Sequence, residues 1–413
     1  MKLSLSLAVS ALAASAHGAW TTPQYPLNTP SGWTANGFAS NLTNPRGIAF
    51  DKRGHLLVVQ SGVGIVAFTL NPDGSAASKR TLLNNTLLNH AVALSNDGSI
   101  LFASSSNTTW RWNYNAAALT LSNQKTIVTN MINDDHTSRT LFVSKKHPNL
   151  LVVSRGSGEN VDLGADLPSG RAQVRVFDWT KIGAAGVPYT EGATLAYGAR
   201  NEVGIAEDAS GQIWGVENSA DDLITTSQGV TYDVHQDNPG EKLHNFGDAA
   251  KAANKFYGYP YCFSVWNSSL FPASAPVSIG DWFVQTPNST INSDWCNANA
   301  IKPKVIFQPH SAPLDIKFSP IDTNAYVSFH GSWNRQPPTG YKVVVVPGSV
   351  SKGAWQPTAD ITTQTGYTDL LWNTDAAACT NGCFRPVGLA WSAAKRLYVS
   401  SDATGEVFVL QKN

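Results

Sequence analysis

Short runs of Val, Ile, Leu, Phe, Tyr and Trp alternate along the chain with clusters of Gly, Asn, Asp and Pro. No stretch carries the apolar period of a long amphipathic helix, so the pattern predicts an all-β protein. Residues 45–70, PRGIAFDKRGHLLVVQSGVGIVAFTL, show a recurring phrase: a first strand, an Asp-x-x-Gly turn, a second strand, a short turn and a third strand. The phrase returns from Asn89 (NHAVALSNDGSILFASSSNTTWRWNY), His136 (HTSRTLFVSKKHPNLLVVSRGSG), Ala199 (ARNEVGIAEDASGQIWGVENS), His310 (HSAPLDIKFSPIDTNAYVSFHGSW) and Phe384 (FRPVGLAWSAAKRLYVSSDATGEVFVL). Six such units predict a six-bladed β-propeller, because a sandwich has no reason to repeat one phrase six times. Residues 32–41 are expected to close the ring by adding a strand to the last blade, whose edge is otherwise unpaired. The longest gap between units, 219–309, is expected to hold an elaborated outer strand and loops.

Composition narrows the partners. The 413 residues carry 29 Lys+Arg and 29 Asp+Glu, so no long-range field steers the chain to nucleic acid or an anionic membrane. Met1 and Lys2 precede an apolar run from Leu3 to Ala14, and Ala16-His17-Gly18 supplies small residues at a cleavage site. Residues 1–18 therefore read as a signal peptide and 19–413 as a single exported domain, expected to be a monomer. No later stretch is long and apolar enough to span a bilayer. Cys262, Cys296, Cys379 and Cys383 read as disulfides in that oxidising setting, and 262–296 with 379–383 is the most local pairing. A zinc site is the alternative, but no His follows the close pair at finger spacing. Asn41, Asn84, Asn107, Asn267 and Asn288 head glycosylation sequons.

In a propeller the first strand of each blade starts at one mouth of the central channel, so residues there share a pocket. Those positions here are Arg46, His90, His136 with Arg139, Arg200 with Asn201, His310 with Lys317 nearby, and Arg385. Each alone reads as a salt bridge or a solvated loop, but together they recur in register. Gathering cations in a partly desolvated mouth calls for a counter-anion, so a polyanionic ligand is expected. Arg forks suit its carboxylates, and Asn201 suits a carbonyl. Residues 216–223, VENSADDL, offer hard oxygen donors of the kind that hold Ca²⁺; an acidic turn is the plain alternative. In residues 133–140, NDDHTSRT, Asp135 precedes His136 and can fix its tautomer or raise its basicity. His90, His310 and His330 read as well as structural histidines.

At these residues the chain resembles the sorbosone/glucose dehydrogenase superfamily of soluble quinoproteins. Within it, the chain looks most like the fungal secreted pyranose dehydrogenases that use pyrroloquinoline quinone. The pieces that carry the likeness are DDHTSRTLFVS with LLVVSRGSGENVD, ARNEVGIAED with IWGVENSADDL, FYGYPYCF, PHSAPLDIKF, SFHGSWNRQPPTGYKV, and FRPVGLAW with LYVSSDATGEVF. The resemblance implies a quinone cofactor at the axis whose three carboxylates are the expected polyanion. It implies His136 as general base on a sugar's anomeric hydroxyl, with hydride passing to C5 of the quinone. It further implies Arg200, helped by Asn201, polarising the quinone oxygen, and Ca²⁺ held at Ser219 or Asp221. Arg46, Arg139, Arg335 and Arg385 become candidates for carboxylate pairing, Gln60 and His330 for the pocket lining, and Lys317 or Lys342 for a cofactor contact. The last strand ends at Asn413 without a linker, so a separate electron acceptor is expected.

Two other classes compete. Lactonase-type hydrolases also place Ca²⁺ in a six-bladed propeller, but they need several carboxylates where this chain places cations. A sugar-binding propeller without catalysis would repeat an aromatic platform in every blade, and Trp110, Trp214, Trp333 and Trp391 occupy no matching position.

Overall fold

The run Leu56–Gln60 shows why the apolar segments become strands. Leu56 and Val58 share a buried cluster with Phe38, Tyr398 and Val407, while Leu57 and Val59 share another with Leu101, Ala103 and Trp112. A strand buried on both faces has no polar alternate positions, hence the continuous apolar runs. In the computed structural model, which describes residues 20–413 apart from the side chains of 380 and 381, this arrangement repeats around a ring. The expected signal peptide, 1–18, lies outside the described residues. Each of the six sequence units forms one blade of a β-propeller. Buried clusters fill the six gaps between neighbouring blades. Each buried Val or Leu contributes roughly 1.5–3 kcal/mol relative to exposure.

The first blade is Pro45–Phe50, Leu56–Gln60, Gly64–Leu70 and Ala76–Asn84, in order outward from the axis. Its outermost strand is mostly exposed, so the fourth strand does not show in the apolar pattern. The ring closes as expected: Trp33–Ala39 pairs antiparallel with Glu406–Lys412 of the sixth blade. The segment 219–309 holds more than an outer strand. It contains the third and fourth strands of the fourth blade, Glu241–Asp248 and Val305–Phe307, and lends Lys255–Phe256 to the edge of the third. The short helix Ser293–Asn299 and the Cys262–Cys296 disulfide also lie in it. Cys379 bonds Cys383, so the disulfide pairing holds and no cysteine remains for zinc. Asn41, Asn84, Asn107 and Asn288 are exposed and Asn267 is half-buried. Among the described residues no helix is long and apolar enough to cross a membrane.

The first strands of the six blades are Pro45–Phe50, Val92–Leu94, Leu141–Val143, Glu202–Glu207, Pro313–Phe318 and Pro386–Trp391. The start of each is stitched to the preceding blade by a hydrogen bond, so that one crosses every blade boundary. Gly47 N donates to His90 O, Ser104 Oγ to Arg139 O, and Thr140 Oγ1 to Val203 O. Asn218 Nδ2 then donates to Pro313 O, Ser328 Oγ to Val387 O, and Ser400 Oγ to Arg46 O. The last of these ties the sixth blade back to the first. Contact is close enough that a Cβ at Gly388 would sit 2.5 Å from the Arg46 carbonyl oxygen, which explains the glycine there. This rigid collar fixes where the residues at its mouth point.

Candidate active site

A cavity of about 300 Å³ opens where the first strands begin. Of the residues singled out from the sequence, Arg46, His136, Arg200, Asn201, Ser219, Asp221, His330 and Arg385 line it. Glu241, His310, Trp333 and Asn334 line it too. The loop before the third blade delivers His136, the start of the fourth delivers Arg200 and Asn201, and the start of the sixth delivers Arg385.

His136 is fixed by Ser157. Its Nδ1 lies 2.9 Å from Ser157 Oγ and 3.2 Å from Ser157 O. The Ser157 hydroxyl donates to Glu159 O, so both Ser157 atoms act as acceptors and Nδ1 carries the proton. Nε2 is thereby left with its lone pair, and no protein group among the described residues bonds it. Burial, then the nearby Arg200 charge, pushes the imidazole down to about 4, so it is neutral at neutral pH. A Cβ at Gly156 would lie 2.6 Å from His136 Cβ and 2.7 Å from Asn201 Oδ1, so only glycine lets these two side chains approach.

The cations are unequally compensated. Arg46 pairs with Asp402 at 2.6 Å, and the other Asp402 oxygen meets His330 Nε2 at 2.8 Å. Burial raises the Asp402 carboxyl, but His330 and Arg46 outweigh it and hold the group well below the usual range. Arg200 has all five donors engaged: Asn160 O and Oδ1, Asn218 O, Ser219 O, and Asp221 Oδ2 at 3.5 Å. Arg385 meets only the carbonyls of His330 and Gly331 and the ring of Tyr341, with no carboxylate partner among the described residues.

A polar group centred on Asp221, which also touches Arg200, lines the same cavity. Its Oδ1 accepts from His310 Nδ1 at 3.2 Å and Asn334 Nδ2 at 2.9 Å. His310 Nε2 also reaches a carbonyl, His235 O at 2.6 Å, so both ring nitrogens donate. Burial alone lowers the His310 pKa, but Asp221 and that carbonyl raise it above the ordinary value. Glu241 joins them, accepting from Ser219 N and Ala312 N, and burial pushes it up to about 7. The Ser219 hydroxyl is committed to Gly240 O, and its carbonyl accepts from Arg200 Nη1.

Three candidates point elsewhere. Arg139 is fully buried and donates to His136 O, Ser138 O and Met131 O, so it holds the His136 loop instead of facing the cavity. Gln60 accepts from Thr43 N at the end of its strand. Arg335 pairs with Asp237 at 2.7 Å and bonds Pro337 O, pinning its own loop. Neither lysine reaches the site: Lys317 pairs with Asp315 and Lys342 with Asp369. Glu241 and Asn160 were not read from the sequence, since each stands outside the repeated phrase.

Residues 27–413 match the family model described as TrAA12-like. The chain belongs to the TrAA12-like family. A pyrroloquinoline quinone-dependent pyranose dehydrogenase of Coprinopsis cinerea is 45% identical over 401 residues, covering 94% of this chain and 55% of that protein. The chain thus spans about half the length of this curated relative. Among solved structures, the holo form of the pyranose dehydrogenase PQQ domain from Coprinopsis cinerea has a TM-score of 0.93 at 44% identity, covering 95% of this chain and 98% of that one. A calcium structure of the Trichoderma reesei carbohydrate-active enzyme family AA12 gives 0.90 at 40% identity, covering 96% and 99%. The TrAA12-like match takes in every residue of the cavity described above.

Proposed function

We propose that this chain is a secreted sugar dehydrogenase that oxidises the anomeric carbon of a pyranose, with pyrroloquinoline quinone and Ca²⁺ in the axial cavity. The observation that carries the reading is a neutral His136 with a free Nε2, beside a buried Arg200, in a cavity that also holds the unpaired Arg385. The residues fit both groups in kind. Arg385, without a carboxylate partner, suits a ligand carboxylate, and Arg46 and Arg200 add positive charge to the same cavity. Asp221 and the Ser219 carbonyl supply hard oxygens for the metal. Bound there, the quinone would supply a hydride acceptor and the metal a Lewis acid.

The chain's own part is positional and electrostatic. His136 Nε2 takes the proton of the anomeric hydroxyl, and the Nδ1 proton, held by Ser157, steadies the imidazolium that results. Arg200 contributes a fixed positive charge; its 3.5 Å contact with Asp221 is the longest of its five and the first to give way. Asn201 stands beside His136 and orients substrate or cofactor oxygens. The exposed Trp333 at the rim offers a face on which a pyranose ring can stack.

Reconstitution tests this reading. The purified protein, given the quinone with and without Ca²⁺, is assayed against a panel of pyranoses by dye reduction and against lactones by hydrolysis. Sugar-dependent dye reduction that needs both additions is expected. Lactone hydrolysis without dye reduction would transfer the protein to the hydrolases.

A further inference from the structure

The fourth blade carries a second polar cluster that the reading above does not use. Glu202, Glu217, Lys242 and His244 come from its first three strands, with Glu202 opposite Glu217 and Glu217 opposite Lys242 in register. All four are buried, and the first two directly adjoin the cavity residues Asn201 and Asn218 in the chain. Lys242 Nζ donates to Glu217 Oε1 at 2.5 Å, and His244 Nε2 lies 3.0 Å from Glu217 Oε2. Glu202 is left out: neither of its carboxylate oxygens has a hydrogen-bond partner, although Oε1 faces His244 Nε2 at 3.8 Å. A buried carboxylate without a partner is costly unless it is neutralised. The single lysine charge is already taken by Glu217. Ligand atoms of Glu202, Glu217 and His244 all lie within 4.8 Å of one another.

We propose that this cluster is a second metal site, holding a divalent transition-metal ion through Glu202, Glu217 and His244. One imidazole nitrogen and carboxylate oxygens suit zinc or manganese, whereas Ca²⁺ prefers a larger all-oxygen shell. Two carboxylates cancel the ion's charge. Because the cluster is sealed from solvent, the ion enters as the chain folds, and a chelator does not extract it from the folded protein.

The test is metal content. The full chain is produced in zinc-supplemented medium, passed through EDTA and analysed by inductively coupled plasma mass spectrometry. About one zinc per chain is expected, unchanged by removing Ca²⁺ or quinone, with E202Q retaining almost none and melting at a lower temperature. Zinc-free wild type, or equal zinc in wild type and E202Q, overturns the site. Anomalous scattering at the zinc edge gives an answer independent of any variant's folding: a peak between Glu202, Glu217 and His244 supports the proposal, and no peak there refutes it. Loss of sugar oxidation plays no part in these readouts, so the fate of the dehydrogenase reading is separate.

Discussion

Two cavities lie along the propeller axis, built on the same first strands, and they differ in what those strands present. The cavity at the strand starts, about 300 Å³, is lined by arginine, histidine and carboxylate side chains. The other, about 420 Å³, is lined largely by residues within the strands, among them Ile48, Val92, Phe142, Ile205 and Ala390. Its strand-borne charges are already engaged: Lys317 pairs with Asp315, and Glu207 accepts from Ser144 and two backbone amides. The strand-borne charges of the larger space are therefore already engaged, with the exposed Lys145 at its edge, whereas the smaller one offers Arg385 and a base. Strand interiors are fixed by packing against two neighbours, so chemistry collects in the segments that precede them.

That contrast can be broken by substitution at either end. The largest effect is expected from His136→Ala, which should lower kcat by about 10²–10⁴-fold while quinone binding persists. Retained turnover would remove the base from the mechanism. Next is the acid limb of kcat/KM. The base acts only when unprotonated, and burial beside Arg200 holds His136 near 4, so activity should rise through pH 4 and level off by about pH 6. A limb at about 6.5 would mark an unperturbed histidine. Arg385→Ala removes the uncompensated cation and should weaken quinone binding by about 1.5–3 kcal/mol, tenfold or more by absorbance titration. Trp333, 73% exposed, should act mainly on substrate, so its replacement by Ala is expected to raise KM about tenfold or less with kcat nearly unchanged. At the opposite cavity, Lys317→Ala should leave both quinone binding and kcat/KM within about twofold.

The legibility of the sequence follows the same division. Each second strand announced itself because it is buried on both faces, and the first strand and turn repeat before it, so six blades and their closure could be read directly. The fourth strand of the first blade, Ala76–Asn84, is solvated and polar and left no such mark. At the cavity, position in the repeat located Arg46, His136, Arg200 and Arg385. Arg139 misled because it stands three residues from His136 yet turns inward to three carbonyls, a choice made by backbone geometry that composition does not record. Gln60 ends a strand and caps Thr43, which no pattern separates from lining a pocket. Glu241 was invisible for a different reason: it lies in the unpatterned stretch between units, and only folding brings it to Ser219 and Ala312.

The central claim is that the cation-lined mouth, and not the larger cavity, takes the quinone. Absorbance titration of the quinone into the cofactor-free protein, with Ca²⁺ present, tests it most directly when wild type, Arg385→Ala and Lys317→Ala are run side by side. Saturable binding in wild type and Lys317→Ala, with a clear weakening in Arg385→Ala, is the predicted result. Binding that is indifferent to Arg385 and lost with Lys317 would contradict it.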